Sequence, residues 1–145
     1  MAEKSTFEKV TRSEKILYGP RKLLVCGFGA EAQKKFDTVL GTAGLADVPK
    51  VWVSTKQGAA PLAGLLELTT GSGAGLPSAL PRAVIVAGIT EAQLIGLMTV
   101  CKKSGMQQTL WAVLTPVSEK WTVAQLLAEL AREREALQKK KGRGG

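Results

Sequence analysis

The sequence predicts an α/β fold in which a duplicated β-α-β-α unit forms one mainly parallel four-stranded sheet with helices on both faces. Two observations carry that expectation. The first is an internal repeat. Lys22-Leu-Leu-Val-Cys-Gly27 resembles Arg82-Ala-Val-Ile-Val-Ala-Gly88, Glu31-Ala32-Gln33 matches Glu91-Ala92-Gln93, and Gly44 matches Gly105. Further on, Trp52 matches Trp111, Thr55 matches Thr115, and Leu65-Leu66 matches Leu126-Leu127. The spacing stays between 59 and 61 residues, even at tryptophan, of which the chain has 3. The second is an alternation within each copy between short apolar runs ended by glycine and longer stretches with helical periodicity, the pattern of buried strands and the helices between them.

The first strand is Leu23 to Cys26, ended by Gly27, and its counterpart is Ala83 to Ala87, ended by Gly88. A helix follows each. Ala32, Phe36, Val39, Leu40 and Ala43 mark one apolar stripe that stops at Gly44. Leu94, Leu97, Met98 and Cys101 mark the other, which stops at Gly105, glycine being the usual residue after a helix C-terminus. Thr90 with Gln93 forms a capping box at the start of the second stripe. The next strands are Val51-Trp52-Val53 and Leu110-Trp111-Ala112-Val113, with both tryptophans expected to pack at equivalent places under the helices. The last helix opens with a capping box of Thr122 and Gln125 and a hydrophobic staple of Trp121 and Leu126. Val123, Leu126, Leu127 and Leu130 form its buried face, and past Ala131 it is solvated and outruns the core.

The chain therefore divides into a basic N-terminal arm at 1–21, a first repeat at 22–68, a Gly/Pro-rich linker at 69–81, a second repeat at 82–138 and a basic flexible tail at 139–145. At 145 residues it is one domain with room for an ordinary core. Placing the two first strands side by side gives a strand order of 2-1-3-4.

Twenty Lys and Arg against 12 Asp and Glu give a net charge of +8, which suggests nucleic acid until its position is considered. Residues 1–22 carry six basic and three acidic residues, and 131–145 carry six and two, leaving eight and seven for 23–130. The excess sits in the two arms, so RNA binding through them is one alternative function.

The chain has no histidine, which removes imidazole bases, Ser-His-Asp and Cys-His pairs and histidine-ligated metals. Asp37, Asp47, Glu67, Glu91 and Glu119 are scattered, with no pair spaced for general acid and base work. Cys26 and Cys101 are too far apart for a CxxC motif and read as reduced, buried filler. No catalytic residue, metal or cofactor is expected. The first twenty residues are charged throughout and later apolar runs are strand-sized, so neither a signal peptide nor a membrane span is expected, and the location is expected to be cytoplasmic.

Parallel sheets bind ligands beyond the carboxyl ends of their strands, where the strand order reverses. In a 2-1-3-4 sheet that crevice lies between the two glycine turns. It would gather Gly27, Gly29, Ser54, Thr55, Lys56, Thr90, Thr115, Ser118 and Lys120 into an anion-binding set of hydroxyls, lysines and helix N-termini. Gly27-Phe28-Gly29-Ala30-Glu31-Ala32 also fits the G-x-G-x-x-A turn of dinucleotide folds, although no acid ends the next strand to hold a ribose. Gly71-Ser72-Gly73-Ala74-Gly75 is not a P-loop, because no Gly-Lys-Ser/Thr follows.

Leu114, Thr115, Pro116, Ser118, Trp121, Thr122, Leu126 and Leu127 fit a pattern Leu-Thr-Pro-x-Ser/Asn-x-x-Trp-Thr-x-x-x-Leu-Leu. This stretch resembles the C-terminal signature of a small bacterial family known as domain of unknown function 3783. The likeness covers about residues 82–132 and implies a bacterial cytosolic domain with a distinctive loop from Thr115 to Trp121. It implies no activity. The first copy has Ser54-Thr55-Lys56 in place of Leu-Thr-Pro, so a site built from the signature would be single. The expected function is a non-catalytic binding or regulatory module for a protein or a small anionic ligand, with a nucleotide-binding enzyme or subunit using the Gly27-Gly29 turn as the other alternative.

Overall fold

The computed structural model of the chain describes residues 15–76, 78–106 and 108–144, with side chains as far as Leu137. Residues 1–14 of the basic arm and the side chains of the tail lie outside the described part. In order along the chain come β1 (Lys22–Cys26), α1 (Ala30–Thr42), β2 (Lys50–Val53), a 3-10 turn (Thr55–Gln57) and α2 (Leu62–Leu66). The second half repeats the series as β3 (Ala83–Ala87), α3 (Glu91–Lys103), β4 (Leu110–Val113), a 3-10 turn (Ser118–Lys120) and α4 (Val123–Gly144). α4 continues through the residues expected to form a flexible tail.

Because side chains alternate across a strand, each strand supplies both layers of the core. Leu23, Val25, Val84 and Val86 face α1 and α3, where Phe36, Leu40, Leu97 and Cys101 meet them. Leu24, Cys26, Ile85 and Ala87 face α2 and α4, against Leu62, Leu65, Val123 and Leu127. Helices thus cover both faces, and apart from Lys22 and Lys50 at the starts of β1 and β2 the strands are apolar, because neither face is wet. The Thr90–Gln93 and Thr122–Gln125 capping boxes form as expected. Met98, placed on the buried stripe from its spacing, is instead 39% exposed.

The four strands form one sheet in the order β2-β1-β3-β4. β1 with β2 and β3 with β4 are parallel, but the central pair of β1 and β3 is antiparallel, so the sheet is mixed and not mainly parallel. The reason lies in the segment expected to be a free linker. A right-handed crossover dictates direction within each β-α-β unit only. Between the units the chain runs up the outer edge of β2, where Gly71 donates to the Lys50 carbonyl at 2.8 Å and Trp52 donates to Ser72 at 2.9 Å. It thereby reaches the carboxyl end of β1 and β2, and β3 must start there and run back, Ala83 opposite Cys26 and Ala87 opposite Lys22.

That register is symmetric about Leu24 and Ile85, so equivalent positions are 61 residues apart. Gly27 and Gly88 show what the symmetry demands. Both have positive φ, +77° and +69°, and a Cβ on Gly27 would stand 2.3 Å from the Leu80 carbonyl, one on Gly88 2.4 Å from the Arg21 nitrogen. Each glycine leaves room for the chain entering the opposite half. The α2 and α4 N-termini also meet symmetrically, Leu62 donating to the Trp121 carbonyl at 2.9 Å and Val123 to that of Ala60 at 3.0 Å.

The tryptophans depart from the symmetry. Trp52 pairs with Val25, whose equivalent Val86 pairs with Val113, whereas Trp111 pairs with Val84. The structural counterpart of Trp52 is Val113, and that of Trp111 is Lys50. A two-residue slip keeps both indoles on the same face but at different depths. Trp52 is 4% exposed, edge-to-face with Phe36 at 6.2 Å, while Trp111 is half-buried.

Candidate functional site

The antiparallel centre divides the expected crevice in two. Gly27, Gly29, Ser54, Thr55 and Lys56 follow β1 and β2 at one end of the sheet. Thr90, Thr115, Ser118 and Lys120 follow β3 and β4 at the other. A single crevice between the glycine turns requires β1 and β3 to run the same way, and they do not.

At the first end, the room beside Gly27 is filled by the backbone of Leu80 and Pro81, so the close approach that a dinucleotide turn reserves for pyrophosphate is made by the chain itself. Phe28 is buried and carries the Arg82 guanidinium over its ring at 5.3 Å. Gly29 is the N-cap of α1 and supplies no side-chain cap. Ser54 caps the adjoining 3-10 turn, its N–H donating to Gln57 Oε1 at 2.9 Å. Beyond it Ser54, Thr55 and Lys56 line a cleft of about 480 Å³ whose other wall is Leu76, Ser78 and Ala79, in the segment between the halves. The Ala79 N–H donates to Thr55 Oγ1 at 2.7 Å, which leaves the threonine hydroxyl proton free to donate in turn. Ser78 Oγ is buried and has no hydrogen-bond partner among the described residues. Lys56 is exposed and takes part in none of the ion pairs among those residues.

The wall is held in place by Gln33, which the apolar stripe of α1 did not reveal. This glutamine is 5% exposed, its Nε2 donating to the Phe28 carbonyl at 2.9 Å and its Oε1 accepting from the Gly75 N–H at 2.8 Å. In the repeat it is matched only to Gln93; the pairing with Gly75 depends on the path of a distant segment. Leu76 and Leu80, the apolar residues of an otherwise small and polar run, were the available signal that the run docks.

At the second end the polar groups are bonded to one another. Thr115 N–H donates to Ser118 Oγ at 3.0 Å, and Ser118 N–H to Thr115 Oγ1 at 2.9 Å. The two hydroxyls lie 3.0 Å apart. The pair closes the strand exit as Ser54 and Gln57 do in the first half, 61 residues earlier. Thr90 accepts from the Gln93 N–H at 3.1 Å as an N-cap. Glu119 accepts the Tyr18 hydroxyl at 2.9 Å, a bond that with burial and the nearby carboxylate raises the phenol pKa. Lys120 is exposed beside them. In the distinctive loop from Thr115 to Trp121 the two hydroxyls thus fix the loop's own shape and Glu119 ties it to Tyr18.

Neither cysteine is a nucleophile in this setting. Burial pushes the Cys26 thiol up to about 12 and that of Cys101 up to about 11, so both stay protonated near neutrality. Asp37 pairs with Lys50 at 3.3 Å and Asp47 with Arg21 at 3.2 Å, so these two carboxylates serve surface ion pairs at separate places. No described helix is long and apolar enough to cross a membrane.

No curated protein and no solved structure was found to match the chain. Residues 82–137 match the model of a family described as a domain of unknown function, DUF3783, so the half of the chain that holds β3, α3, β4 and most of α4 is the half similar to that family.

Proposed function

We propose that the chain is a non-catalytic binding module of the cytoplasm whose ligand is a small organic anion, held in the cleft between Ser54-Thr55-Lys56 and Leu76-Ser78-Ala79. The observation that carries this reading is the convergence of unspent donors on an open cleft. The Thr55 hydroxyl proton, and the Ser78 Oγ and Lys56 ammonium that have no partner among the described residues, all border a cleft whose size falls within the ordinary range for small-molecule sites, about 300–1,000 Å³. Donors without acceptors call for an anionic or acceptor-rich head, and Leu76 and Ala79 suit an apolar body. Of the nine residues first grouped as an anion site, Ser54, Thr55 and Lys56 remain in the proposed one. The capping and turn bonds of Thr90, Thr115 and Ser118 favour a structural role for them.

The two halves are best understood as products of a duplication, with units at 22–68 and 82–138; the 61-residue equivalence of strands, glycine turns and capped strand exits supports that origin. Among the described residues only the first unit has the cleft, because only it is succeeded there by a segment that folds back over its strand exit.

The test is a titration of the isotope-labelled protein with octanoate and octyl phosphate, with 1-octanol and inorganic phosphate as controls. The amides of Thr55, Lys56, Ser78 and Ala79 are expected to shift with the two amphiphilic anions. Lys56→Gln is expected to weaken binding about tenfold, since a charge-assisted hydrogen bond contributes about 1.5–3 kcal/mol. Ser78→Ala should weaken it while leaving Tm unchanged or raised, because its hydroxyl bonds to none of the described residues. Octanol binding as tightly as octanoate, or affinity indifferent to Lys56→Gln, would overturn the reading.

A further inference from the structure

β2 and β4 are the two edges of the sheet, and they are finished differently. In β2 the outward backbone groups belong to Lys50 and Trp52, and the Gly71-Ser72 segment bonds to both. In β4, Leu110 and Leu114 donate inward to the Arg82 and Val86 carbonyls, so by strand alternation Trp111 and Val113 point outward. Among the described residues no hydrogen bond reaches the outward N–H or C=O of either. An uncovered edge is a template for another strand, and proteins ordinarily block one with charge, proline or a bulge. Here the edge reads Leu110-Trp111-Ala112-Val113, with no such device.

Two grooves run beside it. On the α3 side Met98, Met106 and Trp111 line one of about 360 Å³; on the α4 side Leu110, Leu130 and Leu137 line one of about 320 Å³. α4 passes beneath this edge and outruns it. Its 22 residues span about 33 Å, yet its buried side chains end at Leu127 and Leu137 is 67% exposed. A lone extended peptide would leave that overhang uncovered.

We propose that the occupant is a second copy of the chain, β4 against β4, antiparallel about a twofold axis at Ala112. Four considerations favour it. The edge is self-complementary, since Trp111 opposite Val113 of a second copy, and the reverse, satisfies all four outward N–H groups and all four outward carbonyls in two bonded pairs. The same antiparallel twofold arrangement already joins β1 to β3. The overhanging α4 of each copy gains the other's sheet to pack on, which a twofold interface requires of both partners equally. Finally, the stretch Arg132-Glu133-Arg134-Glu135 is neutral in a chain of +8, with Arg132 held by Glu129 at 3.0 Å and Arg134 by Gln108 at 2.9 Å, so two copies of it can approach without net repulsion.

Sedimentation at tens of micromolar protein tests this. Wild type is expected at twice the chain mass. Val113→Pro removes one outward N–H and no bond to β3, and it is expected to weaken association at least about tenfold with Tm unchanged in the monomer. Val113→Lys, which keeps the backbone intact, should do the same if proline unfolds the strand. In Ala112→Cys the new thiol faces its own copy across the closer kind of strand pair, so mild oxidation should link it into a dimer well before the exposed control Thr38→Cys. A wild-type monomer at these concentrations overturns the proposal, whether another segment of the chain covers the edge or nothing does. So does a dimer that survives both Val113 substitutions. Either result leaves the Ser54–Lys56 cleft untouched.

Discussion

The first half of the chain closes its strand edge and opens a cleft, whereas the second closes its strand exit and leaves the edge bare. Both begin from the same elements in the same register, so the difference arises in the segments attached to the end of each unit. After α2 the chain turns back over β2, bonds to Lys50 and Trp52, and supplies Leu76, Ser78 and Ala79 as one wall of the cleft. After β4 comes a long helix that continues outward, and nothing described returns to cover Trp111 and Val113. The side chains differ in the same way. Asp37 and Lys50 make an ion pair on the covered side, and at the equivalent places Met98 and Trp111 line a groove. Two units with the same elements in the same register can therefore carry different surfaces.

The comparison is broken most severely at the glycine turns. Gly27→Ala and Gly88→Ala should each cost about 5 kcal/mol or abolish folding, because the new Cβ meets backbone at 2.3 and 2.4 Å at a positive φ. Gly29→Ala, with nothing within 4 Å of the added carbon, should be close to neutral. Urea denaturation checks all three, and a mild Gly88→Ala would show that the two turns are not equivalent. The tryptophans come next. Trp52→Ala should cost about 4 kcal/mol and Trp111→Ala about 1 to 2, a gap that equivalent packing would erase.

A smaller effect is expected from alkali. Both thiols have folded pKa values above the ordinary 9, so the unfolded chain releases its protons first. Their contribution is whole below about pH 9 and is lost as pH climbs towards about 11 for Cys101 and about 12 for Cys26. The urea midpoint should fall over that window, and less so in Cys26→Ala. Smallest is Lys50→Met, which makes the first half resemble the second. The partner Asp37 is 53% exposed, so the change should cost under ~1 kcal/mol in a urea titration.

Much of this was legible in the residues. Continuous apolar runs ended by Gly27 and Gly88 located the first strand of each unit, and the capping boxes at Thr90 and Thr122 located two helix starts, because those signals are local. Strand direction was not local. It depended on Gly71 and Ser72 pairing with a strand about twenty residues earlier, in a stretch whose composition suggested a free linker. The expected crevice failed with that direction. Trp52 and Trp111 misled for a related reason, since spacing alone cannot distinguish the same register from a slip of two residues that keeps the face.

The separation of Ser54-Thr55-Lys56 from Thr115-Ser118-Lys120 is tested most directly by one spectrum, the amide correlation map of the labelled protein recorded with and without octyl phosphate. With the sheet's centre antiparallel, Thr55, Lys56, Ser78 and Ala79 should shift while Thr90, Thr115, Ser118 and Lys120 stay in place. Saturable shifts of both sets together, at one concentration, would contradict the two-ended arrangement and restore a single crevice.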